Sequence, residues 1–68
     1  MITQFAIVET DNIGKNVKVC EFAIIRTTAV IGNNVIIHPH VVINEGVYIG
    51  DGVEIFPGAM IGKEPIGK

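Results

Sequence analysis

The apolar residues of this chain recur every six positions between Ile13 and Ile66. Nine consecutive hexapeptides each begin with Ile or Val, and these leading residues are Ile13, Val19, Ile25, Ile31, Ile37, Ile43, Ile49, Ile55 and Ile61. The fifth residue of each hexapeptide is Ala or Val, except for Pro65 in the last one. A short fixed period is typical of solenoids, so the pattern predicts a repeat architecture.

Each hexapeptide contains one short strand and one turn. The fifth residue and the next leading residue are two apart, as in Val35 and Ile37, and therefore share one face of a strand. The residue between them points outward. The turn positions are rich in residues that tolerate positive φ, namely Gly14, Asn16, Gly32, Asn34, Gly46, Gly50, Gly52, Gly58 and Gly62, and they also include His40.

Three strands and three turns make one triangular coil, so residues eighteen apart should stack as parallel strands about 4.8 Å apart. Residues 13–66 then form about three coils with three inner rows, one of which is Ile13, Ile31 and Ile49. Residues 1–12 predict an incomplete first coil, because Phe5-Ala6-Ile7 repeats the inward–outward–inward pattern eighteen residues before Ile25.

With these repeats the chain resembles the hexapeptide-repeat acyltransferase family. The resemblance implies an all-β fold, the left-handed parallel β-helix, and its left hand is taken from the family because parallel crossovers are normally right-handed. It also implies a homotrimer and acetyl-coenzyme A as co-substrate. Residues 36–65 look most similar to nucleotide-sugar N-acetyltransferases, which implies a sugar or nucleotide-sugar acceptor.

Length and charge limit the other possibilities. The 68 residues allow one domain. A repeat that reaches Ile66 without a cap predicts either that another chain covers the end or, as we favour, that this is the N-terminal part of a longer protein. The net charge of −2 predicts neither a nucleic-acid nor a membrane partner. The N-terminus lacks the features of a signal peptide, and the single cysteine, Cys20, fits a reducing compartment, so we expect a cytoplasmic protein.

The outward positions form three rows of different character. One row is mixed and two are apolar; they consist of Lys18, Ile36 and Glu54, of Ile24, Val42 and Met60, and of Val30, Tyr48 and Ile66. Contiguous exposed apolar surface usually marks an interface, which favours a symmetric trimer. The alternative is that β-branched residues simply suit strands.

His38 and His40 are the candidate catalytic residues. Both lie in one turn, where outward side chains are accessible, and a histidine can act as a general base at neutral pH. In the acyltransferases that the chain resembles, such a base deprotonates the acceptor that attacks the thioester. The structural alternative is that His40 fills a positive-φ turn position while His38 packs on Phe56.

A zinc site is the competing use of these histidines. The γ-class carbonic anhydrases share the scaffold and place three His ligands across a subunit boundary, whereas this chain has two histidines with Cys20 stacked beneath His38. Catalytic zinc needs three protein ligands, so we expect no metal. Residues 62–65 depart from the repeat pattern, because Pro65 removes a backbone donor from the strand. This departure predicts a break in the β-helix where a loop could leave it.

Two hypotheses for the function follow. The first is the N-terminal portion of an acyltransferase that moves an acetyl group from acetyl-coenzyme A to a hydroxyl or amine, with His38 or His40 as the base and backbone amides as oxyanion donors. The second is a non-catalytic β-helical module that trimerises a partner domain. A carbonic anhydrase-like protein is a lesser alternative.

Overall fold

The computed structural model of the chain describes residues 1–62, which contain nine two-residue strands and no helix. The strands are β1 (Ile7–Val8), β2 (Lys18–Val19), β3 (Ile24–Ile25), β4 (Val30–Ile31), β5 (Ile36–Ile37), β6 (Val42–Ile43), β7 (Tyr48–Ile49), β8 (Glu54–Ile55) and β9 (Met60–Ile61). From β2 onward, each strand ends on a leading residue of the hexapeptide repeat. The repeat therefore places the strands where the sequence predicts them.

All the strand pairs are parallel and form three sheets. Their orders are β1-β3-β6-β9, β2-β5-β8 and β4-β7, and successive strands in the second sheet pair Val19 with Ile37 and Ile37 with Ile55. This eighteen-residue register confirms the predicted stacking. The molecule measures 37 × 19 × 19 Å, and its architecture is that of a left-handed parallel β-helix of about three coils.

The inward positions form a single apolar core along the axis. The buried apolar residues are Val17, Val19, Ala23, Ile25, Ala29, Ile31, Val35, Ile37, Val41, Ile43, Ile49 and Ile55. All of them are leading or fifth residues of hexapeptides, so the predicted inner rows are confirmed. The fifth residue Val53, in the last described coil, differs because it remains 37% exposed.

The first coil corrects one prediction from the sequence. Ile7 pairs with Ile24 rather than Ile25, and Val8 takes the position opposite Ile25. Because side chains alternate along a strand, this one-residue shift points Ile7 outward, where it is 53% exposed, and turns Val8 toward the core. By residue 13 the offset is eighteen again, since Ile13 bridges to Ile31.

The shift is absorbed where the first coil is one residue shorter than the second. Thr10 is buried in this short connection, and its hydroxyl donates to the Ala29 carbonyl at 2.6 Å while accepting from the Asn12 amide at 3.1 Å. Both hydrogen-bonding functions of a buried hydroxyl are thereby satisfied. A threonine can therefore stand in the core where the later coils use Ala or Val.

The turns have positive φ at the fourth residue of every hexapeptide that the structure describes in full. These residues are Asn16, Phe22, Thr28, Asn34, His40, Gly46, Gly52 and Gly58. The Asn, Gly and His positions confirm the prediction. The sequence does not indicate it for Phe22 and Thr28, because bulky and β-branched residues rarely adopt this conformation.

Four glycines follow a leading residue, and of these only Gly62, with a φ of 101°, has the predicted positive φ. Gly14, Gly32 and Gly50 do not have positive φ. A Cβ at Gly14 would overlap Asn33 Oδ1, and one at Gly32 would overlap Asp51 Oδ1. These oxygens accept hydrogen bonds, both at 2.8 Å, from the backbone amides of Lys15 and Asn33 one coil earlier. Gly14 and Gly32 thus make room for side chains from the next coil, whereas a Cβ at Gly50 would meet no atom of the described residues.

The outward rows face away from the core as predicted, with Ile24, Ile36 and Val42 half-buried, and they contain one addition. Ile7 extends the row of Ile24, Val42 and Met60, so the apolar face of the four-stranded sheet runs through four strands. Position 66 and the predicted break at positions 63–65 lie outside the described residues. Residues 1–62 hold no helix of the length and apolarity that a membrane crossing needs.

Candidate functional site

The predicted site residues lie at one corner of the β-helix. We call it the aromatic corner and define it as the turns 3–5, 20–22, 38–40 and 56–58, which stack on one another between the β2-β5-β8 and β1-β3-β6-β9 sheets. It contains both histidines and all three phenylalanines of the chain. Within residues 1–62, no other corner concentrates side chains of this kind.

His38 is held in place by contacts with the next coil. Its backbone amide donates to the Ile55 carbonyl at 3.0 Å, and its Nε2 lies 2.7 Å from Oε2 of Glu54. The Phe56 ring packs against the imidazole with 5.6 Å between ring centroids. The side chain remains 28% exposed, so one part of the ring is oriented while another part faces solvent.

Glu54 is the functional candidate that the sequence did not single out. It lies in the mixed outward row directly above Ile36, two residues before His38. The eighteen-residue stacking is sufficient to predict this pair. Ile36 lies two residues before His38, and Glu54 stacks on Ile36 in the next coil, so Glu54 and His38 are neighbours. A carboxylate beside an imidazole nitrogen orients the ring and determines which nitrogen carries the proton.

His40 has a different environment, although it lies only two residues from His38. It has a φ of 65°, its amide donates to the Glu21 carbonyl at 3.2 Å, and its side chain is exposed. The imidazole stacks on the Phe22 ring at a centroid distance of 5.3 Å and an interplanar angle of 21°. The structure thus gives one histidine a carboxylate and the other an aromatic ring.

The side chains of one chain do not assemble a metal site in the described part. In residues 1–62 no three His, Cys, Asp or Glu side chains come together in a group that could hold a metal ion. Cys20 is a free, half-buried thiol one coil below His38. Because the zinc ligands of the carbonic anhydrase-like alternative come from two subunits, the expectation that the protein binds no metal stays a prediction.

A depression of about 610 Å³ lies beside the aromatic corner at the N-terminal end of the β-helix. It is lined by residues 1–5 and 18–21, including Phe5, Lys18 and Cys20, but neither histidine reaches it. The N-terminal amine is hydrogen-bonded to the Val17 carbonyl at 2.6 Å, which holds the first residues against the second coil. This depression and the histidines are therefore separate features of the molecule.

The repeat itself is found in a known protein family. The model of the bacterial transferase hexapeptide (six repeats) family matches residues 12–45 and 28–63, which together span most of the 68 residues. No curated protein matches the chain. The match covers the segment in which the strands, the inner rows and the turns follow the six-residue period. The chain therefore belongs to the bacterial transferase hexapeptide family.

Proposed function

We propose that the chain is the β-helical part of an acyltransferase that moves an acetyl group from acetyl-coenzyme A to a hydroxyl or amine of a sugar or nucleotide-sugar acceptor. The observation that carries the proposal is the pair of His38 and Glu54, whose nearest side-chain atoms are 2.7 Å apart at the surface. The family match supports a transferase scaffold, and the single free Cys20 suits a cytoplasmic location.

In this mechanism Glu54 accepts a hydrogen bond from Nε2–H of His38 and leaves the lone pair of Nδ1 free. The Nδ1 atom removes the proton from the acceptor as its oxygen or nitrogen attacks the acetyl carbonyl carbon. Acetyl-coenzyme A supplies the thioester, whose carbon–sulfur bond breaks and whose thiolate takes the proton back from His38. Glu54 stabilises the imidazolium between these steps, and backbone amides serve as oxyanion donors.

A homotrimer is part of the proposal. The outward row of the four-stranded sheet includes Ile7 and Met60, which are 53% and 68% exposed, and Tyr48 adds an apolar ring that is 70% exposed on a neighbouring sheet. Apolar surface of this extent on a small protein favours association with further copies. A second candidate function, a non-catalytic module that trimerises a partner domain, rests on this same surface.

The test is acetyl transfer by the purified chain, measured as release of the coenzyme A thiol with a panel of amino sugars and nucleotide sugars. We expect turnover with at least one acceptor, and a loss of at least about 100-fold in kcat for His38→Asn, because a general base contributes that much. Turnover that survives His38→Asn unchanged would remove His38 from the mechanism. No turnover by folded trimers of the full-length protein would favour the trimerisation module.

Glu54→Gln tests the positioning role of the carboxylate. It keeps the size of the side chain and a hydrogen-bond acceptor, but it removes the charge that stabilises the imidazolium. We expect a drop of about tenfold or more in kcat, with little change in KM. Glu45→Gln is the matched control, since Glu45 is exposed in a turn of another corner, and it should retain wild-type kcat.

A further inference from the structure

The aromatic corner contains a ladder of three stacked rings, one from each successive coil, which are those of Phe5, Phe22 and His40. The Phe5 and Phe22 ring centroids are 6.1 Å apart, and those of Phe22 and His40 are 5.3 Å apart. Such spacings lie within the range of attractive ring pairs. The three rings occupy equivalent turns of the first three coils, so the ladder follows the axis of the β-helix.

The ladder stops where the fourth coil has a glycine. Gly58 occupies the turn position that follows His40 one coil later, with a φ of 81°, and its amide donates to the Pro39 carbonyl at 3.2 Å. A Cβ at this glycine would meet no atom of the described residues within 4 Å. Because the Phe22 ring of the coil below stacks on one face of the His40 imidazole, we infer that the opposite face is on the side of the fourth coil, where Gly58 has no side chain.

From this arrangement we propose that the space above His40, at the level of Gly58, binds a planar heteroaromatic ring of the nucleobase class. The bound ring would continue the ladder as its fourth member. Phe56 lies two residues before Gly58 in the same turn and is 64% exposed, so a second aromatic side chain is available at this level. The His38–Glu54 pair stands in the same corner.

The backbone conformation supports a role for the ladder. Phe22 and His40 have φ values of 64° and 65°, where the other described turns mostly use Gly or Asn. Histidine tolerates this conformation, but a phenylalanine there is costly and needs compensating contacts from neighbouring structure. The stacking of Phe22 on its neighbouring rings supplies such contacts. Gly58, one coil further on, leaves the space next to His40 open.

The charged side chains near the aromatic corner favour an uncharged ligand. The carboxylates of Glu21 and Glu54 belong to the corner and its edge, and Lys18 is the cation on the adjoining outward row. A free phosphate would meet unfavourable acidic charge here, whereas an uncharged base would not. We therefore expect an uncharged nucleoside to bind, with any phosphates of a larger ligand directed away from the corner.

The experiment uses the full chain labelled at histidine, with adenosine and uridine as probes and ribose as the non-aromatic control. NMR should show saturable shifts of the His40 ring protons with at least one nucleoside and none with ribose. Gly58→Asn should abolish these shifts, because asparagine fills the space and yet is the residue that Asn16 and Asn34 place in the same kind of turn. Gly52→Asn is the matched control at another corner, with a φ of 75°, and should bind like wild type.

His40→Asn removes the stacking ring while keeping a residue that tolerates positive φ. It should weaken binding about tenfold, which is the usual effect of losing one base–aromatic stack, and binding to this variant is measured on the ring-proton signals of the nucleoside. Either the absence of shifts in the wild-type chain or equal binding by Gly58→Asn and Gly52→Asn would overturn the proposal. Because the readout is binding, the result stands apart from the acyl-transfer proposal, which is tested by turnover.

Discussion

At the scale of the residue, backbone conformation and side-chain identity disagree at two turns. Phe22 and Thr28 adopt positive φ, at 64° and 63°, although their side chains make this region unfavourable by about 1–2 kcal/mol. Phe22 gains ring contacts with Phe5 and His40 in return. Thr28 is exposed and has no such compensation, so its conformation is imposed by the coils on either side.

Thr28→Asn should therefore stabilise the protein. Asparagine tolerates positive φ, so the substitution keeps the turn and relieves part of the strain, and we expect a gain of about 0.5–1 kcal/mol in the free energy of unfolding. Urea unfolding followed by circular dichroism measures it. Thr27→Asn, at the adjacent exposed position without positive φ, is the control and should change stability by less than about 0.5 kcal/mol. Equal effects of both substitutions would contradict the strain explanation.

At the scale of the element, the coils are joined by their corners as well as by their strands. In the corner that contains residues 14–16, 32–34 and 50–52, Asn33 and Asp51 each accept a hydrogen bond from the backbone of the preceding coil. Each side chain lies over a glycine of the coil that it contacts. The polar corner thus fixes the coil-to-coil register, while the aromatic corner carries the candidate chemistry.

Gly32→Ala tests this use of glycine. Its Cβ would meet Asp51 Oδ1 and, at 2.8–2.9 Å, the backbone of residues 50–51. This backbone cannot move without disturbing the hydrogen bond that Asp51 accepts from the Asn33 amide. We expect a loss of about 1–3 kcal/mol in unfolding free energy, as for other overpacked sites. Gly50→Ala meets no atom of the described residues and should cost much less. A similar loss at both glycines would show that propensity, rather than crowding, determines the effect.

At the scale of the whole molecule, the three outer faces are unequal. The shift of register in the first coil adds Ile7 to the apolar row of the four-stranded sheet, whereas the neighbouring β2-β5-β8 sheet places Ile36 between Lys18 and Glu54. A rod of 37 × 19 × 19 Å buries little surface by itself, so association through the apolar face would add substantially to its stability. The face that associates should therefore be the apolar one.

Val42→Lys places a charge in the middle of the apolar row. If the homotrimer forms through this face, sedimentation should show a trimer for the wild-type chain and a shift toward monomer for the variant, because an unpaired charge would be buried. Ile36→Lys is the matched control: it is also an outward, half-buried strand residue, but it lies beside Glu54. A monomeric wild type would refute the trimer, and dissociation by Ile36→Lys alone would move the interface to the other sheet.

The sequence alone determined the coils, the inner rows and most of the turns, because a six-residue period and two-residue alternation are local properties of a chain. The six-residue period also placed His38 and His40 in the same turn, and therefore at one corner. Only the tertiary structure decided what each histidine contacts: Glu54 for one and Phe22 for the other. Those contacts depend on side-chain conformations between neighbouring coils, which the spacing of residues in the sequence does not determine.

The first coil shows the same division. Its apolar residues are visible in the sequence, but the phase of Ile7 depends on a connection that is one residue short and on whether a buried Thr10 can satisfy its hydroxyl. A slip of one residue exchanges the two faces of a strand, so this detail decides whether Ile7 joins the core or the outer surface. Local pattern specified the fold, and packing between coils specified its surfaces.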